Sequence, residues 1–291
     1  MTKGLLIYDR EGAKRNKVFI DMLIDRFGKR GIELCLVIFE EMCFGIDSEK
    51  PFVSLKDADI KDFSFAVCRC INPLLSRHLE LLGLKVFNNS EISRICNSKN
   101  MTYSVASELG IPVPITYFGK RGTVLEFNDS DFPLIVKSDS GHGGAEVFWA
   151  NNMHKLTDAV KRIDADYVVQ KPVSELGKDL RIYVVGKTIV GAVLRTSEKD
   201  FRSNFSLGGS AKLVTPQDNE LKIAKKLIDR FDFGMVGIDI IYDNGKPLLN
   251  EIEDVVGSRM LYASSDIDIA DLYAEHIANT LAVSTNKGDN L

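Results

Sequence analysis

The chain has 291 residues, 45% hydrophobic and 27% charged, with a formal net charge of −4. That length supports two or three lobes around a sizeable core, and the mild acidity excludes an electrostatic nucleic-acid surface. Five cysteines and four scattered histidines exclude a disulfide framework and a zinc cluster and fit a reducing, cytoplasmic setting. The chain shows neither a signal peptide nor an apolar run of membrane-spanning length.

Residues 5–8 read as a short buried strand. Residues 17–30 read as a helix with Val18, Met22, Leu23 and Phe27 inward and Gly31 as its stop. Residues 34–39 are expected as a second buried strand, 65–68 as a third and 85–87 as a fourth. Short apolar strands alternating with helices predict a small parallel α/β lobe over residues 1–95. Such lobes bind ligands at the carboxyl ends of their strands, where Asp9, Arg10, Arg69 and Asn88 sit. An ordinary loop polar residue is the favoured reading of each. Cys68-Arg69-Cys70 has the wrong spacing for a CxxC site and reads as structural.

Asn97 or Ser98 caps a helix running to Leu109, with Gly110 as its stop. Strand 134–137 ends in Lys137 and leads into a loop containing Gly141, Gly143 and Gly144, followed by strand 147–149. Glycines let backbone N–H groups approach phosphate oxygens, and Lys137 adds a point charge. The order is not GxxxxGK[ST] and no helix follows, so a P-loop is excluded; a plain tight turn is the other reading. A helix over 154–163 and a strand over 167–170 come next, broken by Lys171-Pro172. Residues 180–185 and 188–194 form an antiparallel hairpin about Gly186-Lys187. Arg181 alternates with Ile182 and Val184, so it is expected to face a polar cleft, and Arg195 ends the second strand. Residues 201–209 are polar, aromatic and glycine-rich, and Arg202 and Asn204 there suit an anion. Asp218 is expected to cap a helix running to Arg230. Asp266 or Asp268 starts the last helix, with Ile269, Leu272, Ile277 and Leu281 inward, and 285–291 read as a tail.

Residues 237–254 hold the densest chemistry. They read as a hairpin with Asp239 in an apolar run, where a charge needs a partner, and with Glu251 and Glu253 at alternating positions. A two-residue turn at Asn244-Gly245 would put Asp239 and Glu251 on opposite faces. A three-residue loop, or a bulge, would bring all three acids to one face. Together they suit a divalent cation such as Mg²⁺; a solvent-facing acidic hairpin is the alternative.

Lys99, Lys137, a glycine loop, a strand-break hinge and a carboxylate hairpin, in that order, make a kit for holding a nucleoside triphosphate. With Gln170, Gly177-Lys-Asp-Leu-Arg-Ile-Tyr-Val-Val-Gly186, Asp200-Phe-Arg-Ser-Asn204, Gly208-Gly-Ser-Ala211, Gly237-Ile-Asp239 and Ile267-Asp-Ile-Ala270, the chain resembles the ATP-grasp ligases. The likeness is to the RimK-type α-L-glutamate ligase branch, with its LysX-like members, and covers about residues 85–282. It implies an ATP-grasp fold of mixed α/β and α+β class. An N-terminal parallel α/β domain would span 1–95, a small lobe with the glycine loop 96–172, and a large lobe with the metal hairpin 173–284.

By that resemblance Lys99, Lys137, Gly141, Gly143 and Gly144 contact ATP phosphates. Gln170, Lys171, Pro172 and Val173 lie along adenine, and Asp179 holds the ribose side. Arg202, Ser203 and Asn204 bind phosphate and the acyl-phosphate intermediate, with Arg202, Asn204 and Arg181 as catalytic candidates. Asp239, Glu251 and Glu253 ligate Mg²⁺, or Mn²⁺ in its place, with Glu253 at a position usually asparagine. Arg181 and Arg259 receive the substrate carboxylate. The implied activity is cytoplasmic, ADP-forming carboxylate–amine ligation. Its partners would be small-molecule carboxylates and amines, a peptide or carrier protein, and the second copy of a homodimer. The alternatives are a carboxylate–thiol ligase and an ATP-binding regulatory protein of synapsin-like type. The sequence departs from the family at Glu253, at the Lys171-Pro172 hinge and at Glu146, which replaces the last glycine of the phosphate loop.

Overall fold

The computed structural model describes residues 2–141, 146–197 and 210–288, with side chains as far as residue 283. The first of its main sheets is parallel. β1 (Thr2–Tyr8) lies between β2 (Ile32–Ile38) and β5 (Phe65–Cys68), and β6 (Lys85–Phe87) forms the far edge. The hairpin of β3 (Cys43–Asp47) and β4 (Lys50–Ser54), absent from the sequence expectation, lies between β2 and β5 in the chain. Leu36 of β2 is 41% exposed, so this edge strand is only half covered rather than buried.

A short helix, α1 (Arg10–Arg15), is capped by Asp9, whose carboxylate accepts the Gly12 N–H at 2.6 Å. In α2 (Lys17–Gly28) the inward set is Ile20, Leu23 and Phe27. Val18, expected inward, is 75% exposed, because two residues before Ile20 it falls on the opposite side of the helix. Arg10 pairs with Glu41 at the surface. Arg69 is no ordinary loop residue: it is buried, and its Nη2 donates to the Val256 carbonyl at 2.6 Å.

The second sheet is antiparallel, in the order β7 (Thr116–Gly119), β10 (Tyr167–Gln170), β8 (Leu134–Ser138), β9 (Val147–Ala150). With α6 (Met153–Lys161) it closes a core of its own around Leu134, Val136, Leu156, Tyr167 and Val169.

The third sheet is antiparallel as well, in the order β13 (Ser210–Leu213), β12 (Thr188–Thr196), β11 (Lys178–Val185), β14 (Met235–Asp243), β15 (Lys246–Glu253). One set of its side chains, including Tyr183 and Met235, shares a single core with Leu6, Phe27 and Phe87 of the first sheet and its helix. The last helix, α9 (Ile269–Gly288), seals that core with Tyr273 and Ile277 and takes in part of the expected tail. The other set, including Ile182 and Ile238, packs against α7 (Asp218–Arg230) and α4 (Ser90–Cys96). Gln217, not Asp218, caps α7; Glu220 answers the Gln217 N–H at 2.6 Å, a reciprocal box that leaves Asp218 in the first turn. The helix after Ser98, α5 (Lys99–Glu108), sends Met101, Val105 and Ala106 into this same core rather than into that of the second sheet. Among the described residues no helix is long and apolar enough to cross a membrane.

Candidate active site

The acidic hairpin is built by a tight turn and a bulge acting together. Asn244 and Gly245 have φ of 50° and 73°, the left-handed pair that a two-residue hairpin turn requires. From there Asp243 pairs with Lys246 and Ile240 with Leu249. Continued unchanged, that register would set Glu251 on the face opposite Asp239. Asn250 intervenes as an extra residue on β15, so Asp239 pairs with Glu251 and Gly237 with Glu253. The route to a common face is therefore the bulge and not the three-residue loop. Carboxylate oxygens of Asp239, Glu251 and Glu253 all lie within 4.8 Å of one another, a hard-oxygen donor set that fits a divalent cation.

Behind these acids runs a buried charge network on adjacent strands. Asp239 is 1% exposed. Arg181 grips it with Nε on Oδ1 at 2.7 Å and Nη2 on Oδ2 at 2.6 Å. Nη2 of Arg195 reaches the same Oδ2 at 2.6 Å. Arg195 in turn donates through Nε to Asp179 Oδ1 at 2.6 Å and through Nη2 to its other oxygen. Nη2 of Arg181 also lies 2.6 Å from Glu253 Oε1. Burial pushes the Asp239 carboxyl up, but Arg181 and Arg195 together outweigh it and hold the group at about 2. For Asp179 burial prevails over Arg195, and the group rises to about 6. Glu253 rises to about 7, driven by burial and the neighbouring acids despite Arg181. Arg181 and Asp179, expected to meet substrate and ribose, are thus both buried and fully engaged with protein partners.

The two lysines converge on the same hairpin from other elements. Ser98 caps α5 by accepting the Met101 N–H at 3.2 Å, and Asp139 accepts the Asn100 N–H at 2.7 Å. This fixes Lys99, whose Nζ donates to the Gly141 carbonyl at 2.7 Å. Nζ of Lys137, at the end of β8, donates to Asn250 Oδ1 at 3.1 Å. Burial pulls the Lys137 ammonium down, Glu251 holds it up and Lys99 pulls it down again, leaving it at about 8. The Asn250 carbonyl accepts the Tyr103 hydroxyl of α5 at 2.7 Å. One bulged residue therefore ties the acid-bearing strand to Lys137 and to the helix that carries Lys99.

At the hinge, buried Gln170 donates to Thr116 Oγ1 at 2.8 Å. Nζ of Lys171 is held by Asp131, through its carbonyl and through Oδ1 at 3.4 Å. Pro172 and Val173 follow, half-buried, between β10 and β11. Arg259 is exposed at the start of α8 (Arg259–Ser264) and makes none of these contacts. Gly143, Gly144, Arg202, Ser203 and Asn204 lie outside the described residues. Sequence reasoning passed over Asn250 and Arg195. Arg195 carried one signal, since it and Asp179 are opposite charges on the two arms of a recognised hairpin, and the structure pairs them directly.

Residues 109–277 match the family described as RimK-like ATP-grasp domain. Human β-citrylglutamate synthase B is 31% identical over 215 residues, which cover 70% of this chain and 56% of that protein; the chain spans little more than half the length of that relative. A probable α-L-glutamate ligase of Sodalis glossinidius is 30% identical, covering 81% of this chain and 85% of its own. Among solved structures, a RimK domain ATP-grasp protein from Sphaerobacter thermophilus superposes with a TM-score of 0.70 at 19% identity, over 94% of this chain and 99% of its own. D-alanine–D-alanine ligase from Bacillus anthracis, complexed with ATP, gives 0.72 at 16% identity, over 99% and 100%. At such identities the likeness is one of fold.

Proposed function

The chain belongs to the RimK-like ATP-grasp family, and from that premise we propose that it is an ADP-forming carboxylate–amine ligase. The observation that carries this reading is the convergence of Asp239, Glu251 and Glu253 within 4.8 Å on a hairpin whose bulged residue also holds Lys137. The nucleotide would lie between the lobe of residues 96–172 and that of 173–284, with 1–95 as the first domain.

In the proposed reaction the γ-phosphoryl of ATP passes to a substrate carboxylate, giving an acyl phosphate and ADP. An amine then attacks the acyl carbon and phosphate leaves. Lys99 and Lys137 neutralise phosphate oxygens, with loop N–H groups around Gly141, Gly143 and Gly144 as further donors. Gln170, Lys171, Pro172 and Val173 border adenine. Arg181 and Arg195 keep Asp239 ionised and aimed, and Asp179 holds Arg195. Mg²⁺ bound by Asp239, Glu251 and Glu253 would draw charge from the transferring phosphoryl group. Arg202, Ser203, Asn204 and Arg259 remain the proposed grip on that group and on the substrate carboxylate. The relatives' names, citrylglutamate synthase, N-acetylaspartylglutamate synthase and glutamate ligase, nominate glutamate as the amine.

Purified protein given MgATP, glutamate and a panel of small carboxylic acids and short peptides is expected to release ADP and phosphate in step. A flat ADP trace with every acceptor, glutamate replaced in turn by other amino acids, would sink the ligase reading.

Lys137 gives the binding step a pH signature. With its folded value near 8 and an unfolded value of about 10.4, the free protein gains stability as pH rises from about 8 towards 10.4, where only the unfolded chain still holds the proton. A phosphate beside Lys137 restores the charge, so MgATP binding at pH 8.5 takes up protons and weakens as pH rises further. Calorimetry in buffers of different ionisation enthalpy measures the uptake. Lys137→Met removes it; an undiminished uptake in that variant refutes the assignment.

A further inference from the structure

Asn88 follows β6 in the first sheet, yet its side chain is buried among strands of the third. Oδ1 accepts the N–H groups of Gly234 at 2.6 Å and Met235 at 3.2 Å. Nδ2 donates to the carbonyl of Met235 at 3.0 Å, and to the carbonyl and Oδ1 of Asp254 at 3.1 and 2.6 Å. The expectation of a plain loop residue does not hold here. A primary amide offers the same acceptor and donor as a peptide group, and this one sits where the β14–β15 ladder runs out. The last backbone pair is Gly237 with Glu253; one step beyond it, Asn88 spans the gap from residues 234–235 to Asp254 as an added rung. The fit is close, for a Cβ at Gly234 would stand 2.8 Å from Asn88 Oδ1. A second amide completes the clamp: Asn97, at the end of α4, donates to Asp254 Oδ2 at 3.1 Å.

We propose that Asn88, acting through Asp254, is a positioning residue for the carboxylate site. Asp239 and Glu251 are fixed within the ladder, whereas Glu253 is its terminal residue: Arg181 holds its carboxylate, but where its backbone lies depends on what holds its next neighbour. The side chain that holds that neighbour follows directly on β6 of the first sheet, so that sheet helps to place the third acid alongside Arg181. The inference rests on the metal reading of the hairpin.

The test is Mn²⁺ affinity of the full chain, read by electron paramagnetic resonance of the free ion, beside the melting temperature. Wild type, Asn88→Ala, Glu253→Gln and the double variant form a cycle. Asn88→Ala is expected to weaken Mn²⁺ binding by about tenfold, the size typical for partners that orient a metal ligand, and to add little once Glu253→Gln is present. Asn97→Ala removes one bond of the clamp and is expected to give a smaller loss that also vanishes against Glu253→Gln; it carries the test if Asn88→Ala does not fold. A lowered melting temperature with unchanged Mn²⁺ affinity, or losses that simply add, overturns the clamp while the metal site stands. Absence of Mn²⁺ binding in the wild type overturns both.

Discussion

Asp239→Asn is expected to lower the melting temperature by roughly 10 °C and to remove ADP formation together with it. The carboxylate is the common partner of Arg181 and Arg195, both buried. Removing its charge leaves two guanidinium groups side by side with only Asp179 and Glu253 to answer them. Breaking a buried pair in this way costs about 3–5 kcal/mol, and in a chain above 150 residues each kcal/mol moves the midpoint by about 2–4 °C. The pH dependence has a defined sign. Asp239 sits at about 2 when folded and at about 3.9 when unfolded, so its contribution is complete at neutral pH and is lost as pH falls through the interval between them. Scanning calorimetry at pH 7 decides the matter, and a midpoint within about 2 °C of wild type would contradict the network as described.

Glu251→Gln separates chemistry from folding. Glu251 faces Asp239 and Glu253, and the opposing charge on it is the Lys137 ammonium, which it helps to keep protonated. Neutralising it relieves repulsion from two like charges and gives up the attraction to Lys137, two opposing effects, so the melting temperature is expected to stay within about 2 °C of wild type. Turnover should fall by about 10³-fold, equivalent to roughly 4 kcal/mol of transition-state stabilisation. Side-by-side ADP assays and melting curves of the two variants read the contrast. Full turnover by Glu251→Gln would move the metal away from the hairpin.

Much of the fold was legible because local pattern and tertiary demand agree. Apolar runs such as 65–68, and the pair flanking Gly186-Lys187, appear as β5, β11 and β12. The misses at the site share one cause. Asn250 is an unremarked polar residue in the sequence, and only pairing against β14 makes it the bulge that brings Glu251 round to Asp239. Asn88 looks like a loop residue until two strands more than a hundred positions later close on it. Alternation sends Arg181 to a polar cleft, and that face is polar; what alternation cannot say is that acids from neighbouring strands already occupy it. Single-chain spacing reports which side a residue takes, not who stands opposite.

The interior common to the first and third sheets bears on how this architecture can be recombined. Exchanging residues 1–95 for another α/β unit would strip Met235, Tyr273 and Ile277 of the Leu6, Phe27 and Phe87 surface against which they pack, so those two parts are committed to drift as one. The sheet of residues 116–170 owns its interior. It is the portion free to be traded or remodelled, provided that Lys137 still finds Asn250, and that Asp139 and Gly141 still meet Asn100 and Lys99 of α5, across the boundary.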